Sequence, residues 1–249
     1  MMKITRIISR ILSRVLSNAF SQAPACSAVI AAAGSSGRMG GGDKLFAEIC
    51  GAPVLAHTLM AFQNCSDIKE IVVVARSDRL EDVAAICGRY SISKATKIIS
   101  GGATRLESVF NGVISASRKA CLIAIHDGAR PCIDDATIKA AVAKAAKHYA
   151  AAPGIPVAPT LKRVEKGVIC GTVDRDGIYE IQTPQVFDAS LIKSALAKAV
   201  RDSSEITDDC MAAELLGIRV HVTAGSPKNI KLTTAEDLPI AEAILGIGK

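Results

Sequence analysis

Between Ala33 and Lys44 the chain reads Ala-Gly-Ser-Ser-Gly-Arg-Met-Gly-Gly-Gly-Asp-Lys, a glycine-rich run with cations at Arg38 and Lys44. Glycine lets backbone N–H groups come close to an anion, and the two cations can neutralise charge that builds on a phosphorus under attack. The spacing is not that of a Walker loop, in which Gly-Lys is followed directly by Ser or Thr. Taken alone, the run also fits a plain turn after a strand.

Two further stretches have the residue types of a nucleotide site. Gly101-Gly102-Ala103-Thr104-Arg105-Leu106-Glu107-Ser108-Val109 sets a glycine pair ahead of a helical pattern. Backbone groups at such a turn can read the edge of a base, and Ser108 near the helix start can hydrogen-bond a nucleotide. An ordinary strand-to-helix turn has the same look. His126-Asp127-Gly128-Ala129-Arg130-Pro131 follows an apolar run. Asp127 can help hold Mg²⁺ on phosphates or contact a ribose, whereas His126, at the end of a strand, reads as a packed group and not a ligand.

In this order the three stretches resemble the signature segments of nucleotidyltransferases that activate sugars and alditols, and in particular the methylerythritol phosphate and ribitol phosphate cytidylyltransferase family. The resemblance runs from about Ala28 to Leu245. It implies a transfer of CMP from CTP to 2-C-methyl-D-erythritol 4-phosphate with release of pyrophosphate. It further implies that Arg38, Lys44 and Lys231 stabilise the reacting phosphate, the last within Asn229-Ile230-Lys231-Leu232-Thr233. Ala32, Ala33, Gly34, Ser35, Gly102, Ala103, Ser108, Asp127 and Gly128 are implied to bind the nucleotide. Arg130, Thr160, Arg175 and Thr183 are implied to bind the acceptor, with Thr160 and Arg175 reaching across a dimer and Thr183-Pro184-Gln185 lining the acceptor pocket. Thr207-Asp208-Asp209 resembles a further family segment, but Thr followed by acids is also what a helix start prefers.

The resemblance has two departures. Arg38 and Lys44 stand six apart where the family's common loop has seven, without a proline before the lysine or a glutamine after it, and Pro159 stands where the arm usually carries Asp. Two alternatives to the main reading are a ribitol-5-phosphate cytidylyltransferase and a catalytically inactive nucleotide-binding module of the same fold.

These segments need elements to hold them. Short β-branched runs at Ala28 to Ala31, Glu70 to Ala75, Lys97 to Ser100 and Cys121 to His126 alternate with helical patterns at Val54 to Gln63, Leu80 to Tyr90, Arg105 to Ser117 and Asp135 to Ala151. Continuous apolar strands separated by helices predict an α/β fold with a doubly wound, mostly parallel, Rossmann-like sheet, whose ligands gather at the carboxyl ends of the strands. From about 155 to 182 the alternation stops, and strands without crossover helices predict a projecting β-hairpin arm that serves a homodimer. Beyond it the pattern predicts helices at Ala189 to Val200 and Thr207 to Leu216, strands at Arg219 to Thr223 and Asn229 to Leu232, and a last helix from about Ala235.

The 249 residues are 49% hydrophobic with 3% aromatics and no Trp, which suits a core of Ala, Val, Ile and Leu and disfavours a stacking surface for nucleic acid. The net charge of +6 falls to +2 once residues 1–26 are set aside, because Lys3, Arg6, Arg10 and Arg14 occur there with no acid. No nucleic-acid partner is therefore expected. Residues 1–26 read as a basic amphipathic leader or extension ahead of a nucleotidyltransferase domain at 27–249 and as the only segment suited to membrane contact. A cytoplasmic location follows for a bacterial protein, an organelle of plastid type if the leader is a transit peptide. The eight cysteines are widely spaced, without CxxC, and read as reduced thiols.

Overall fold

The structure is a computed structural model that describes residues 25–34 and 43–246. The predicted leader, apart from Ala25 and Cys26, lies outside the described residues, as do Ser35 and Arg38. Cys26, the last residue of the predicted leader, already belongs to the first strand.

In chain order the strands are β1 (Cys26–Ala32), β2 (Glu48–Ile49), β3 (Ala52–Pro53), β4 (Ile68–Ala75), β5 (Ala95–Ser100), β6 (Leu122–Asp127), β7 (Ala150–Pro156), β8 (Leu161–Glu165), β9 (Val168–Val173), β10 (Tyr179–Ile181), β11 (Gln185–Asp188) and β12 (His221–Ala224). The helices are α1 (Val54–Asn64), α2 (Leu80–Arg89), α3 (Arg105–Ser115), α4 (Asp135–His148), α5 (Ala189–Arg201), α6 (Asp209–Glu214) and α7 (Asp237–Gly246). The main sheet runs β10-β7-β11-β6-β1-β4-β5, with β12 also paired to β7. Strands β6, β1, β4 and β5 are parallel, and β11 is antiparallel to both β6 and β7.

Both faces of β1, β4 and β6 are covered, which is why these central strands are apolar without alternation. Ile30, Val73 and Ala124 point to a core shared with Leu55, Leu59 and Phe62 of α1 and Ile138 of α4. Their neighbours Val29, Val72, Val74 and Ile123 point the other way, to Val109 and Val113 of α3 and Ile192 and Leu196 of α5. At Gly112 helix α3 comes so close to the sheet that an added Cβ would lie 2.4 Å from Val29 Cγ1 and 2.7 Å from Val74 Cγ2. That contact sets the depth of α3, whose first turn borders the cleft described below.

Several sequence expectations change. The helix expected to reach Ala151 ends at His148, because Tyr149 takes a left-handed conformation at φ 70°, and the chain turns at once into β7. Alanine, as at 150–152, favours helix over strand, and here burial within the sheet overrides that preference. The arm is narrower than 155 to 182: Ile155 and Pro156 pair with Glu180 and Tyr179 inside the main sheet, and only β8 and β9 form a separate two-stranded ribbon. Its turn is Lys166-Gly167, both at positive φ (48° and 83°), the conformation a two-residue hairpin loop needs. Residues 229–232 do not form a strand, and β11 was not anticipated. Among the described residues, no helix is long and apolar enough to cross a membrane.

At the opposite end from the cleft, the buried carboxylate of Glu70 ties four segments together. It accepts from Ser27 Oγ at 2.6 Å, Ser117 N at 2.7 Å, and Thr96 Oγ1 and Lys97 Nζ at 3.2 Å each. Burial alone would raise its pKa, but these donors outweigh it and hold the group below the ordinary carboxylate range. A depressed folded pKa means stability that is full above the unfolded value and is lost as pH falls through the folded one. Glu70→Gln is therefore expected to lower the unfolding free energy by about 2 kcal/mol at pH 7, with a deficit that shrinks as pH falls below about 4. Urea unfolding of both proteins at the two ends of this pH range checks it, and an equal deficit throughout would show that the charge contributes nothing.

Candidate active site

A cleft of about 440 Å³ opens at the carboxyl ends of β1 and β6 and is lined by Ala33, Gly34, Lys44, Gly102, Ala103, Thr104, Arg105, Ser108, Asp127, Ala129 and Lys231, among others. Four sequence segments thus meet at the edge where a doubly wound sheet binds its ligands.

The wall from 101 to 108 is built by helix capping. Thr104 is the N-cap of α3: its hydroxyl accepts from Glu107 N at 3.1 Å, while Glu107 Oε2 accepts from Ala103 N at 2.7 Å and Thr104 N at 3.3 Å. Ser108 Oγ accepts from Gly102 N at 3.0 Å and donates to Thr104 O at 2.8 Å. Glycine is required at 101 and 102 by close approach: a Cβ would lie 2.6 Å from Ala33 Cβ at the first and 2.4 Å from Glu107 Cβ at the second. Ser108 therefore shapes the turn as well as lining the cleft.

The floor centres on Asp127, the last residue of β6. Its Oδ2 lies 3.0 Å from Lys231 Nζ and 3.4 Å from Arg130 Nε, and its Oδ1 lies 3.9 Å from Arg105. Burial opposes this charge, but Lys231, Arg105 and Arg130 outweigh it and bring the carboxyl down to about 2. Lys231 owes its position to two bonds that lash 229–232 to the loop after β6: Leu232 N donates to Ala129 O at 2.9 Å, and the Arg130 guanidinium to Asn229 O at 2.7 Å. An extended segment held in this way does the work expected of a strand.

Behind Asp127, His126 is fully buried against the Phe62 ring at 4.8 Å. Its Nδ1 lies 2.9 Å from Thr183 Oγ1, which accepts from Asp127 N at 3.2 Å, and its Nε2 lies 3.3 Å from Arg130 O. A neutral ring protonated on Nε2 serves all of these partners. Burial, the largest influence, pushes its pKa down to about 4.

Of the residues singled out from the sequence, Ala33, Gly34, Lys44, Gly102, Ala103, Ser108, Asp127 and Lys231 come together at the cleft. Others do not. Ala32 is packed in the core. The Gly128 N–H donates to Ala31 O and its carbonyl accepts from Thr58 Oγ1, and the next residue, Ala129, lines the cleft. Arg130 and Thr183 are 6% and 4% exposed, and their polar groups serve Asn229, Asp127 and His126. These bonds brace the floor of the cleft. Thr160 and Arg175 lie exposed at the base of the arm, away from this cleft, with the Arg175 guanidinium donating to Ala158 O. Cys170 is exposed on the arm, and all eight cysteines are free, as expected.

Arg105 and Asp209 were missed as site residues. Arg105 lines the cleft and makes a two-pronged pair with the fully buried Asp209, at 2.8 and 3.1 Å. Burial disfavours the Arg105 charge, but Asp209, Asp127 and Asp208 raise its pKa further than burial lowers it. Gln185, 2% exposed, orients the acid by accepting from Asp209 N and Cys210 N at 3.0 Å each. Asp208 is the N-cap of α6, accepting from Met211 N at 2.9 Å, so the helix-start reading of 207–209 holds for that residue only. The available signal was the second acid, since a cap needs one.

For a cation, Asp127 is the carboxylate at the cleft, and among the described residues no three His, Cys, Asp or Glu side chains gather to form a metal cage. That donor set suits an ion that takes most of its oxygens from phosphates and water, as Mg²⁺ does.

Asp209→Ala removes the partner of a guanidinium whose side chain is 37% exposed, so the expected loss is about 2 kcal/mol in urea unfolding, below the range for a fully buried pair. Nucleotide affinity, measured by calorimetry, is expected to fall with it as Arg105 swings free. Unchanged values in both would remove the pair from the site.

Known proteins with this sequence and fold point one way. The profile of the family 2-C-methyl-D-erythritol 4-phosphate cytidylyltransferase (IspD) matches residues 26–247. The chain is 46% identical over 220 residues to the 2-C-methyl-D-erythritol 4-phosphate cytidylyltransferase of Halalkalibacterium halodurans, covering 88% of this chain and 96% of that one. It is 40% identical over 222 residues to the enzyme of the same name from Caldanaerobacter subterraneus, covering 88% and 98%. Among solved structures, the 4-diphosphocytidyl-2C-methyl-D-erythritol synthase of Anaerococcus prevotii superposes with a TM-score of 0.79 at 30% identity, covering 90% of this chain and 97% of that one. The Thermus thermophilus cytidylyltransferase gives 0.74 at 30% identity, covering 88% and 98%. Capped turn, ionised floor and lashed lysine thus stand in a chain that belongs to the 2-C-methyl-D-erythritol 4-phosphate cytidylyltransferase family.

Proposed function

We propose that this protein transfers the cytidylyl group of CTP to 2-C-methyl-D-erythritol 4-phosphate, forming the CDP-alditol and releasing pyrophosphate. The observation that carries the reading is the convergence of Lys44 and Lys231, from opposite ends of the chain, on one cleft whose floor is the Asp127 carboxylate. An oxygen of the acceptor's phosphate attacks the α-phosphorus, the bond from that phosphorus to the bridging β oxygen breaks, and pyrophosphate leaves with the electron pair. The acceptor phosphate is an anion at neutral pH, so no base and no covalent enzyme intermediate are needed. Positioning and fixed positive charge supply the acceleration. Lys44 and Lys231 supply that charge together with Arg38, whose role rests on the resemblance.

The turn at 102–103 suits the nucleotide. Its N–H groups are taken by Ser108 and Glu107. Backbone carbonyls, acceptors suited to the amino group of cytosine, are therefore what it has to offer a base. Mg²⁺, when bound, screens the triphosphate; Asp127 would hold it.

A homodimer completes the site in this reading. The ribbon exposes Val164, Val168 and Ile169 at 54%, 68% and 63%, apolar area that a second copy would cover. Thr160 and Arg175 would then meet the acceptor phosphate in the partner's cleft, Arg175 through the forked donors that suit a phosphate.

Pyrophosphate release by the full chain with CTP and Mg²⁺ is expected to require methylerythritol 4-phosphate; release with ribitol 5-phosphate alone would overturn the acceptor. Lys44→Ala is expected to lower turnover about a hundredfold. The double variant Val168→Asp/Ile169→Asp is expected to sediment as a monomer and to lose most of its turnover, and an active dimer would remove the arm from the site.

A further inference from the structure

The turn that carries Lys44 is held from its outer side by charges that do not line the cleft. Asp43 caps this turn: its carboxylate accepts from Leu45 N at 3.2 Å, and its carbonyl accepts from Phe46 N at 3.0 Å and Ala47 N at 3.2 Å. The same carboxylate faces two arginines, with Oδ2 lying 3.2 Å from the Arg76 guanidinium and 4.0 Å from Arg79 Nε. Arg79 Nε is buried and has no hydrogen-bond partner among the described residues, so the Asp43 charge 4.0 Å away helps to compensate it. The Arg79 guanidinium also covers the Phe46 ring at 3.9 Å, a cation–π contact with the residue two after Lys44. Each arginine is steadied in turn: Arg76 donates twice to Asp78 at 3.1 Å, and Arg79 lies 3.0 Å from Asp82. Both stand just beyond the carboxyl end of β4, so the turn is joined to a strand of the main sheet.

We propose that Arg76 and Arg79 are positioning residues for the transfer reaction, acting through Asp43 and Phe46 to hold Lys44 at the cleft. The proposal rests on the reading of Lys44 as a phosphate-facing cation. It accounts for one departure of this chain from its family. Directly before the lysine this chain has an acid in place of the proline its resemblance leads one to expect, and two arginines fix the acid. A lysine side chain has four rotatable bonds, so the charge it delivers depends on how firmly its backbone is set, and small misplacements are costly to turnover. The clamp residues are partly open, with side chains 33%, 31% and 17% exposed for Arg76, Arg79 and Asp43. Ion pairs of that kind add little to global stability, so the clamp should register in rate and not in melting.

The test compares kcat, the KM for CTP and the melting temperature of the full chain with those of Lys44→Ala, Asp43→Ala, Arg76→Ala and the double variant Asp43→Ala/Arg76→Ala. Expected is a fall in kcat of about tenfold or more for Asp43→Ala and Arg76→Ala, with KM within about threefold and melting within about 3 °C. The double variant should be no slower than the worse single one, because Arg76 acts through Asp43. Multiplied losses in the double variant, or a fall in melting that tracks the fall in rate, would overturn the proposal. If Lys44→Ala is slow but the clamp variants keep their turnover, the clamp alone falls. If Lys44→Ala turns over normally, the reading of Lys44 falls and takes the clamp with it.

Discussion

The charge on Asp127 organises the cleft. A carboxylate this deeply placed is costly unless opposite charge surrounds it, and three cations from separate parts of the chain do so: Arg105 from α3, Arg130 from the loop after β6 and Lys231 from the segment before α7. Without it these cations would repel one another at close range. With it they are drawn to one point, and the segments that bear them follow. The neighbouring His126 is kept neutral by burial and so adds no fourth positive charge, while its ring joins Thr183 to the Arg130 carbonyl and stiffens the floor from behind. The result is a site whose positive charge is fixed before any substrate arrives, the condition under which electrostatic stabilisation costs no reorganisation.

The parallel half of the sheet was legible because burial on both faces writes itself into sequence as unbroken Val and Ile. β4 and β6 fall where their apolar runs indicated, each with a residue or two more or less at its ends. The antiparallel half was not. Ala150 to Pro156 has no β-branched residue before Ile155, and Gln185 to Asp188 is only four residues with polar ends, so neither announces a strand. β11 is a strand because β6 offers an edge, and β7 because β11 offers the next, which is tertiary context overriding local preference.

The candidate site was legible to a different depth. The family resemblance implied which segments would assemble, and the glycines and the aspartate at a strand end each have a physical reason to stand there. Type alone does not say which way a side chain faces. Arg130 and Thr183 have the donors a substrate phosphate wants; in this fold Arg130 donates to Asn229 and Asp127, and the Thr183 hydroxyl meets His126. Arg105 sits inside a stretch already singled out, and its partner Asp209 lies far along the chain, a pairing that spacing cannot reveal.

One consequence follows from the direction of β1. The strand starts at Cys26 and ends at Ala32, beside Asp127, so its six residue steps span about 20 Å from the amino edge of the sheet to the cleft. The amino end of β1 therefore stands on the side turned away from the chemistry. A tether attached there, whether to a carrier, a surface or a reporter, would leave the mouth of the enzyme facing outward and open to small molecules. The polarity of one central strand thus makes the amino end the natural handle of this protein.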